Sequence, residues 1–251
     1  YMKSVQVRNM VLNADDIKVC NALMGSTKDA IVKEAKILLA LDVDMLEWRA
    51  DCFREVLNLD KLKGTLTDLR HAAKNRPLVF SIRNQQSGAE KDFTDEERYQ
   101  VCKLAIESGC IDVIEVEATF SDEYLKELLL CAQEKKIKII VAFYNYENMP
   151  NTDEIVQNVR VCEKYQPDII KLAIITNTKK DVFELMSAII TLDEAGDETP
   201  RVVVAMGDKG IISRIMPSYF DSIWTYASGI TTCMPGQVNL SDLKKILLLT
   251  K

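Results

Sequence analysis

The stretch Pro167-Asp168-Ile169-Ile170-Lys171-Leu172-Ala173-Ile174 sets a lysine inside an apolar strand. Strand side chains alternate, so Ile170, Leu172 and Ile174 share one face while Ile169, Lys171 and Ala173 share the other. An ammonium held among apolar neighbours is costly, and a lowered pKa that leaves a neutral amine relieves that cost. A neutral, shielded amine attacks carbonyl carbons, which is the chemistry of imine-forming lysines. The plain alternative is a packed stem whose head reaches water.

Other short apolar segments carry polar residues with the same alternation. Leu46 and Trp48 oppose Glu47 and Arg49; Phe80 and Ile82 oppose Ser81 and Arg83; Ile114 and Val116 oppose Glu115 and Glu117; Val141 and Phe143 oppose Ala142 and Tyr144. If each apolar set packs under helices, the polar sets converge on Lys171. A buried ion network that only fixes geometry would look similar, and Arg49 beside a carboxylate fits that reading. Charges from several strands meeting an amine point instead to a functional pocket. Two later segments add to it. Gly207-Asp208-Lys209-Gly210-Ile211-Ile212-Ser213-Arg214 opens a helix with glycines that free backbone N–H groups and an arginine suited to a carboxylate or phosphate. Met234-Pro235-Gly236-Gln237 adds an amide donor, and the pair suggests an anionic carbonyl substrate. Read plainly, they are a helix cap and a turn.

The elements that must position these residues follow from periodicity. Residues 4 to 13 alternate around Arg8-Asn9 as a short hairpin. Strand and helix patterns then alternate eight times: strands over 17–23, 44–50, 77–83, 111–118, 137–144, 167–174, 201–206 and 222–228, and helices over about 26–41, 60–74, 94–108, 121–135, 151–165, 179–193, 209–216 and 240–249. Thr94 and Glu97 form a capping box for the third helix. Eight uninterrupted units in 251 residues point to a (β/α)8 TIM barrel spanning 1–251 as a single domain with an N-terminal β-hairpin. An open, doubly wound sheet would want a glycine-rich turn after its first strand, and Leu23-Met24-Gly25-Ser26 is not one.

Composition narrows the partners. A net charge of -6 with no basic patch argues against nucleic acid and anionic membranes. No apolar run spans a bilayer, and Tyr1-Met2-Lys3-Ser4 is not a secretory signal. Seven scattered cysteines without a C-x-x-C fit a reducing cytoplasm rather than a disulfide framework or zinc site. The single histidine, His71, falls in a helical stretch as a surface or packing residue and leaves little for histidine-based metal sites or dyads.

Leu46-Glu47-Trp48-Arg49-Ala50-Asp51, Ile82-Arg83, Ile170-Lys171-Leu172-Ala173, Gly210-Ile211-Ile212-Ser213-Arg214 and Pro235-Gly236-Gln237, taken in order, resemble the type I 3-dehydroquinate dehydratases. The similarity runs nearly the whole chain. It implies a homodimeric (β/α)8 barrel of the shikimate pathway, a carbon–oxygen lyase with no metal or nucleotide cofactor. By resemblance, Lys171 forms an imine with the ketone of 3-dehydroquinate, and Arg214 and Gln237 hold the substrate carboxylate. Glu47 and Arg83 resemble the groups that bind ring hydroxyls, and Arg49 one that orients them.

The resemblance breaks at the proton-transfer groups. Tyr144 stands where the family has its acid–base histidine, and Ser87 where the histidine has its acidic partner. Two small hydroxyl positions are Ala22 and Cys233. Acid–base assistance typically contributes roughly 10²–10⁴-fold, and a tyrosine with pKa near 10 is a poor base at neutral pH unless neighbouring cations lower it. Three readings follow: a dehydroquinate dehydratase, slowed, in which Tyr144 relays protons; an imine-forming lyase on another anionic hydroxy-ketone; and a catalytically inactive homologue that binds a cyclic hydroxy acid. The retained lysine favours the first two, since a binding protein has no need of it. Borohydride added with 3-dehydroquinate should therefore raise the intact mass of the protein by one reduced adduct, and Lys171→Ala should abolish the increase. No adduct with any keto acid would leave the binding reading.

Overall fold

A computed structural model describes residues 3–230 and 237–249. Strands β1 (Ser4–Val7) and β2 (Met10–Asn13) form an antiparallel hairpin through Arg8-Asn9. The remaining strands are β3 (Lys18–Leu23), β4 (Met45–Arg49), β5 (Leu78–Ser81), β6 (Val113–Glu117), β7 (Lys138–Asn145), β8 (Ile169–Ile175), β9 (Arg201–Met206) and β10 (Trp224–Ala227). These eight pair in parallel in the order β10-β3-β4-β5-β6-β7-β8-β9. The β9–β10 edge is joined by an Arg201–Ser222 bridge, so the sheet is a nearly closed (β/α)8 barrel.

Each barrel strand feeds helical chain on the outside: α1 (Lys28–Ala40), α2 (Leu59–Ala73), α3 (Asp95–Glu107), α4 (Asp122–Glu134), α5 (Thr152–Glu163), α6 (Lys179–Glu194), α7 (Ile212–Ile215) and α8 (Leu240–Leu249). Local chemistry sets their starts. Thr27, Asn58 and Ser121 cap α1, α2 and α4. Complete capping boxes begin α3 (Thr94/Glu97), α5 (Asn151/Glu154) and α6 (Thr178/Asp181). Among the described residues no helix is long and apolar enough to cross a membrane. His71 lies exposed on α2, as expected of it.

Strand parity sorts the apolar residues into two layers. Leu46, Trp48, Phe80, Ile82, Ile114, Val116, Val141, Ile170, Leu172 and Ile174 pack outward under the helices. Cys20, Met45, Val79, Val113, Ile140, Ile169 and Val202 fill the barrel itself. Val5, Val7 and Leu12 of the hairpin join this inner layer and close the end where the strands begin. The polar mouth is left at the carboxyl ends, the end at which barrels of this kind place their chemistry.

The helix expected over 209–216 is not continuous. After Gly207 the chain makes a 3-10 turn (Asp208–Ile211), the short α7, and a second 3-10 turn (Pro217–Phe220). Two constraints divide it. Pro217 has no N–H and cannot prolong a helix. Gly210 lies against the sheet so tightly that an added Cβ would sit 2.2 Å from the Ala205 carbonyl oxygen. The Ser213 hydroxyl locks the approach, donating to the Gly210 carbonyl at 2.9 Å and accepting from the Ala205 N–H at 3.0 Å. Gly207, at φ +93°, starts the turn in a conformation that suits glycine. The Gly210 N–H donates to the Gly207 carbonyl at 3.0 Å, so it is not freed for an anion as the glycines suggest. The purpose visible in the geometry is to deliver Arg214 inward. Gly210→Ala should cost about 1–3 kcal/mol by overpacking against backbone that cannot yield. A calorimetric melt should show a Tm several degrees lower, with Gly64→Ala on exposed α2, where an added Cβ meets nothing, as the innocuous control.

Candidate active site

Alternation along five neighbouring strands carries the polar set inward. Glu47 and Arg49 come from β4, Ser81 from the end of β5 with Arg83 just beyond, Glu115 from β6, Tyr144 from β7 and Lys171 from β8. Ala142 of β7 is the direct register partner of Lys171, so Tyr144 stands one pleat above the amine. Lys171, Glu47, Glu115 and Arg214 are almost wholly buried. Lys171, Tyr144, Glu47, Arg49, Arg83, Arg214 and Gln237 all line a single cavity at the barrel mouth, with Ala22, Ala173, Val204 and Tyr226 completing its wall. Lys171, Tyr144 and the five residues assigned by resemblance to the substrate are thus brought together, whereas Glu117 is not. The space left between these side chains is about 20 Å³, room for a single water.

As strand parity suggests, the lysine meets carboxylates as well as the apolar neighbours of its own strand. Its Nζ donates to Glu115 Oε2 at 2.7 Å, to the Tyr226 hydroxyl at 3.0 Å and to Glu47 Oε2 at 3.3 Å. Two buried carboxylates are thus paired with the lysine. Glu115 is closest and does not line the cavity; it supports Lys171 from behind.

Glu47 is held from several sides. Its Oε1 accepts from the Ser81 hydroxyl at 2.9 Å and from the Arg83 guanidinium at 3.4 Å. Burial alone would raise its carboxyl pKa, but the charges of Lys171, Arg83 and Arg49 and a bond from Tyr226 outweigh burial and hold it well below the usual carboxylate range. Arg83 also sits 4.5 Å over the Tyr144 ring and donates to the Tyr146 hydroxyl at 3.3 Å. Tyr144 and Tyr146, two apart on β7, stack at 6.3 Å.

Tyr144 donates its phenol proton to Glu115 Oε1. Burial pushes its pKa well above the ordinary value, and Glu115 and Glu47 add to this against the opposing charge of Arg83. The neighbouring cations therefore do not turn it into a base at neutral pH. It is a proton-bearing hydroxyl bonded to a carboxylate.

Three other expectations are refined. Arg49 reaches the cavity wall, but its guanidinium grips Asp51 in two bonds of 2.9 and 2.6 Å. Asp51 in turn accepts from the Arg83 backbone N–H at 3.4 Å, so Arg49 works through this pair to hold the Arg83 loop. Glu117 does not join Lys171. It turns over the rim to Arg98 of α3 at 2.8 Å and to the Asn84 N–H at 3.0 Å. Burial raises its carboxyl pKa against the pull of Arg98. Ser87 is buried beside Glu117, whose carboxylate its hydroxyl contacts, and it does not line the cavity. Cys233 and Met234-Pro235-Gly236 lie outside the described residues.

Sequence reasoning missed Tyr226 and Asp51. Tyr226 sits in Trp224-Thr225-Tyr226-Ala227, which reads as an ordinary aromatic strand, although its parity with Trp224 could have marked both as barrel-facing. Asp51 follows the strand end, and only its two-residue spacing from Arg49 hints at the pair.

Comparison with known proteins agrees with this geometry. A model of the type I 3-dehydroquinase family matches residues 19–251. The 3-dehydroquinate dehydratase of Bacillus licheniformis is 31% identical over 98% of this chain and 96% of its own length. That of Salmonella agona is 30% identical over 98% of each. Among solved structures, the 3-dehydroquinate dehydratase of Geobacillus kaustophilus superposes with a TM-score of 0.93 at 26% identity, covering 98% of this chain and 96% of that one. The type I enzyme of Clostridium difficile superposes at 0.91 and 29%, with 98% and 96% covered. With its barrel mouth, its buried lysine and a match along almost its whole length, the chain belongs to the type I 3-dehydroquinase family.

Proposed function

We propose that the chain dehydrates 3-dehydroquinate to 3-dehydroshikimate through an imine on Lys171, with a Tyr144–Glu115 relay in place of a histidine. Family membership supports the overall reaction. The observation that carries the relay is that Tyr144 faces the cavity while bonded to Glu115, which in turn touches the lysine from behind. The Clostridium difficile relative holds a covalently modified comenic acid, which supports covalent chemistry in this fold.

The steps follow from these positions. Lys171 gives a proton to Glu115 and its lone pair attacks the ketone carbon. Loss of the ketone oxygen as water takes up the proton held by Glu115 and leaves a protonated imine, so ammonium and ketone become iminium and water and Glu115 is a carboxylate again. The iminium draws electron density from the adjacent C–H bond. Tyr144 takes that proton while handing its own to the Glu115 carboxylate, which spares a buried phenol from ionising. The enamine then expels the β-hydroxyl, which leaves as water with the proton returned along the same path. Hydrolysis frees the product and the lysine. Arg214 and Gln237 are assigned to the substrate carboxylate, Glu47 and Arg83 to its ring hydroxyls, and Arg49 to fixing the Arg83 loop through Asp51.

The same reading takes residues 1–251 as one barrel domain, a homodimer in the cytoplasm acting on a small anionic ketone. The family match over 19–251 supports the first, and the free thiols of six described cysteines fit a reducing compartment.

Removing the Tyr144 hydroxyl tests the relay. Tyr144→Phe should retain borohydride trapping at Lys171 while turnover of 3-dehydroquinate, followed by the absorbance of the enone product, falls by roughly 10²–10⁴-fold. Equal turnover in the two proteins would remove Tyr144 from the mechanism. The pH response gives a separate check on Glu47. Its folded pKa is depressed, so its stabilising contribution is complete above the unfolded carboxylate value of about 4.3 and is lost as pH falls below it towards the folded value. Glu47→Gln should therefore have a stability deficit that shrinks on acidification below about pH 4, read as the difference between denaturant midpoints of the two proteins. A deficit that stayed constant would mean that Glu47 is not held ionised by its cations.

A further inference from the structure

The relay accounts for Tyr144 and Glu115 but leaves one contact of the reacting nitrogen unused. Tyr226, buried on β10, places its hydroxyl 3.0 Å from Lys171 Nζ and its ring centroid 4.7 Å from the same atom. The hydroxyl proton is directed to Glu47. Of the three oxygen partners of Nζ, Tyr226 is the neutral one. A carboxylate partner holds protons on the nitrogen, whereas a hydroxyl can accept one hydrogen bond while giving another. Tyr226 and Glu47 also lie on the cavity wall, and Glu115 does not. A ketone can approach Nζ only from that wall, so Tyr226 is beside the bond that forms.

We infer that Tyr226 is a catalytic residue of imine formation, moving one proton from the attacking nitrogen to the ketone oxygen. The inference rests on Lys171 forming an imine. When the lone pair of Nζ bonds to the carbonyl carbon, the π pair moves to oxygen, giving N⁺ and O⁻ on the same carbon. Those two atoms are one bond angle apart, so a hydroxyl within hydrogen-bond reach of one also reaches the other. Tyr226 gives its proton to the O⁻ and takes a proton from the N⁺, ending unchanged. The product is the neutral carbinolamine, whose hydroxyl leaves as water once the proton parked on Glu115 is delivered to it. Tyr144 is not placed for this step, because its hydroxyl bonds Glu115 one pleat above the lysine and Nζ itself bonds Glu115, Tyr226 and Glu47. Burial, reinforced by Glu47, keeps the Tyr226 phenol well above its ordinary pKa, so the proton is present when it is needed. The task thus divides between two tyrosines, one for making the imine and one for the elimination that follows.

Tyr226→Phe keeps the ring and removes only the hydroxyl. Imine formation is measured by mixing enzyme with 3-dehydroquinate, quenching with borohydride at intervals and following the adduct by intact mass. Capture should slow by at least tenfold, the scale of a positioned proton-transfer group. The isotope effect on turnover of substrate deuterated at the carbon next to the ketone supplies a reading independent of how much protein is folded. The unaltered protein should show an isotope effect from C–H cleavage, and in Tyr226→Phe, where imine formation limits, it should fall towards unity. An adduct captured as fast as in the unaltered protein would overturn the assignment and leave the imine reading intact. Slower turnover with the isotope effect retained would overturn it as well, by showing a general structural loss. No adduct in the unaltered protein would remove the imine reading and this inference with it.

Discussion

The ion cluster around Lys171 is the constraint on which the barrel mouth depends. An ammonium and two carboxylates are buried there together, and each would be prohibitive alone. They are tolerated because every member has a partner: Ser81 and Arg83 complete Glu47, Tyr144 completes Glu115, and Tyr226 bridges Lys171 and Glu47. The partners come from β4, β5, β6, β7, β8 and β10, so the cluster exists only if all these strands hold their register. A one-residue slip in any strand would exchange a polar contributor for an aliphatic one and leave a buried charge without its counter-ion. The outer faces of the same strands resist such a slip, since Leu46, Trp48, Phe80, Val141, Leu172 and Ile174 can bury only under the helices. Apolar packing outside fixes the register, and the register brings the charges together inside.

That division explains what could be read in advance. Two-residue alternation is local, so the inward orientation of Glu47, Ser81, Glu115, Tyr144 and Lys171 was legible from segments such as Leu46-Glu47-Trp48-Arg49. Helix starts were equally legible, because a capping box such as Thr94/Glu97 is complete within four residues. Contacts between distant strands were not. Parity puts Glu47 and Glu115 on the side of Lys171, but only the folded strands give their distances of 3.3 and 2.7 Å from its amine. Glu117 shares the parity of Glu115 but lies at the strand end, where a long side chain can leave its face, and Arg98 draws it over the rim. The broken helix after β9 escaped periodicity because its cause is a tertiary fit, Gly210 against Ala205. Tyr226 was passed over since an aromatic in a strand is the commonest of core residues.

The two phenols at the barrel mouth also form a connected set. A tyrosine at 144 cannot act as histidine does, and burial moves it further from being a base. It gains meaning only through Glu115, which holds both the phenol and the lysine. A second phenol at 226, on β10 two strands beyond β8, reaches the same lysine from its other flank. Arg83 lies against the Tyr144 ring and bonds the Tyr146 hydroxyl, so aromatic surface lies above the amine. Hydroxyl-to-carboxylate pairs are the recurring polar contact of this mouth.

The cavity of about 20 Å³ has a consequence for selectivity. At this mouth Glu47 holds both Arg83 and Lys171. Binding is accordingly an exchange of partners rather than the filling of a void. An incoming anion that offers only its charge would leave Glu47, Arg83 and Lys171 clasped to one another and gain little. A molecule that presents a carboxylate, hydroxyls and a carbonyl at the right separations can replace all of those contacts at once. Discrimination in such a mouth comes from the resting clasp, which penalises each incomplete mimic by the bonds it fails to replace.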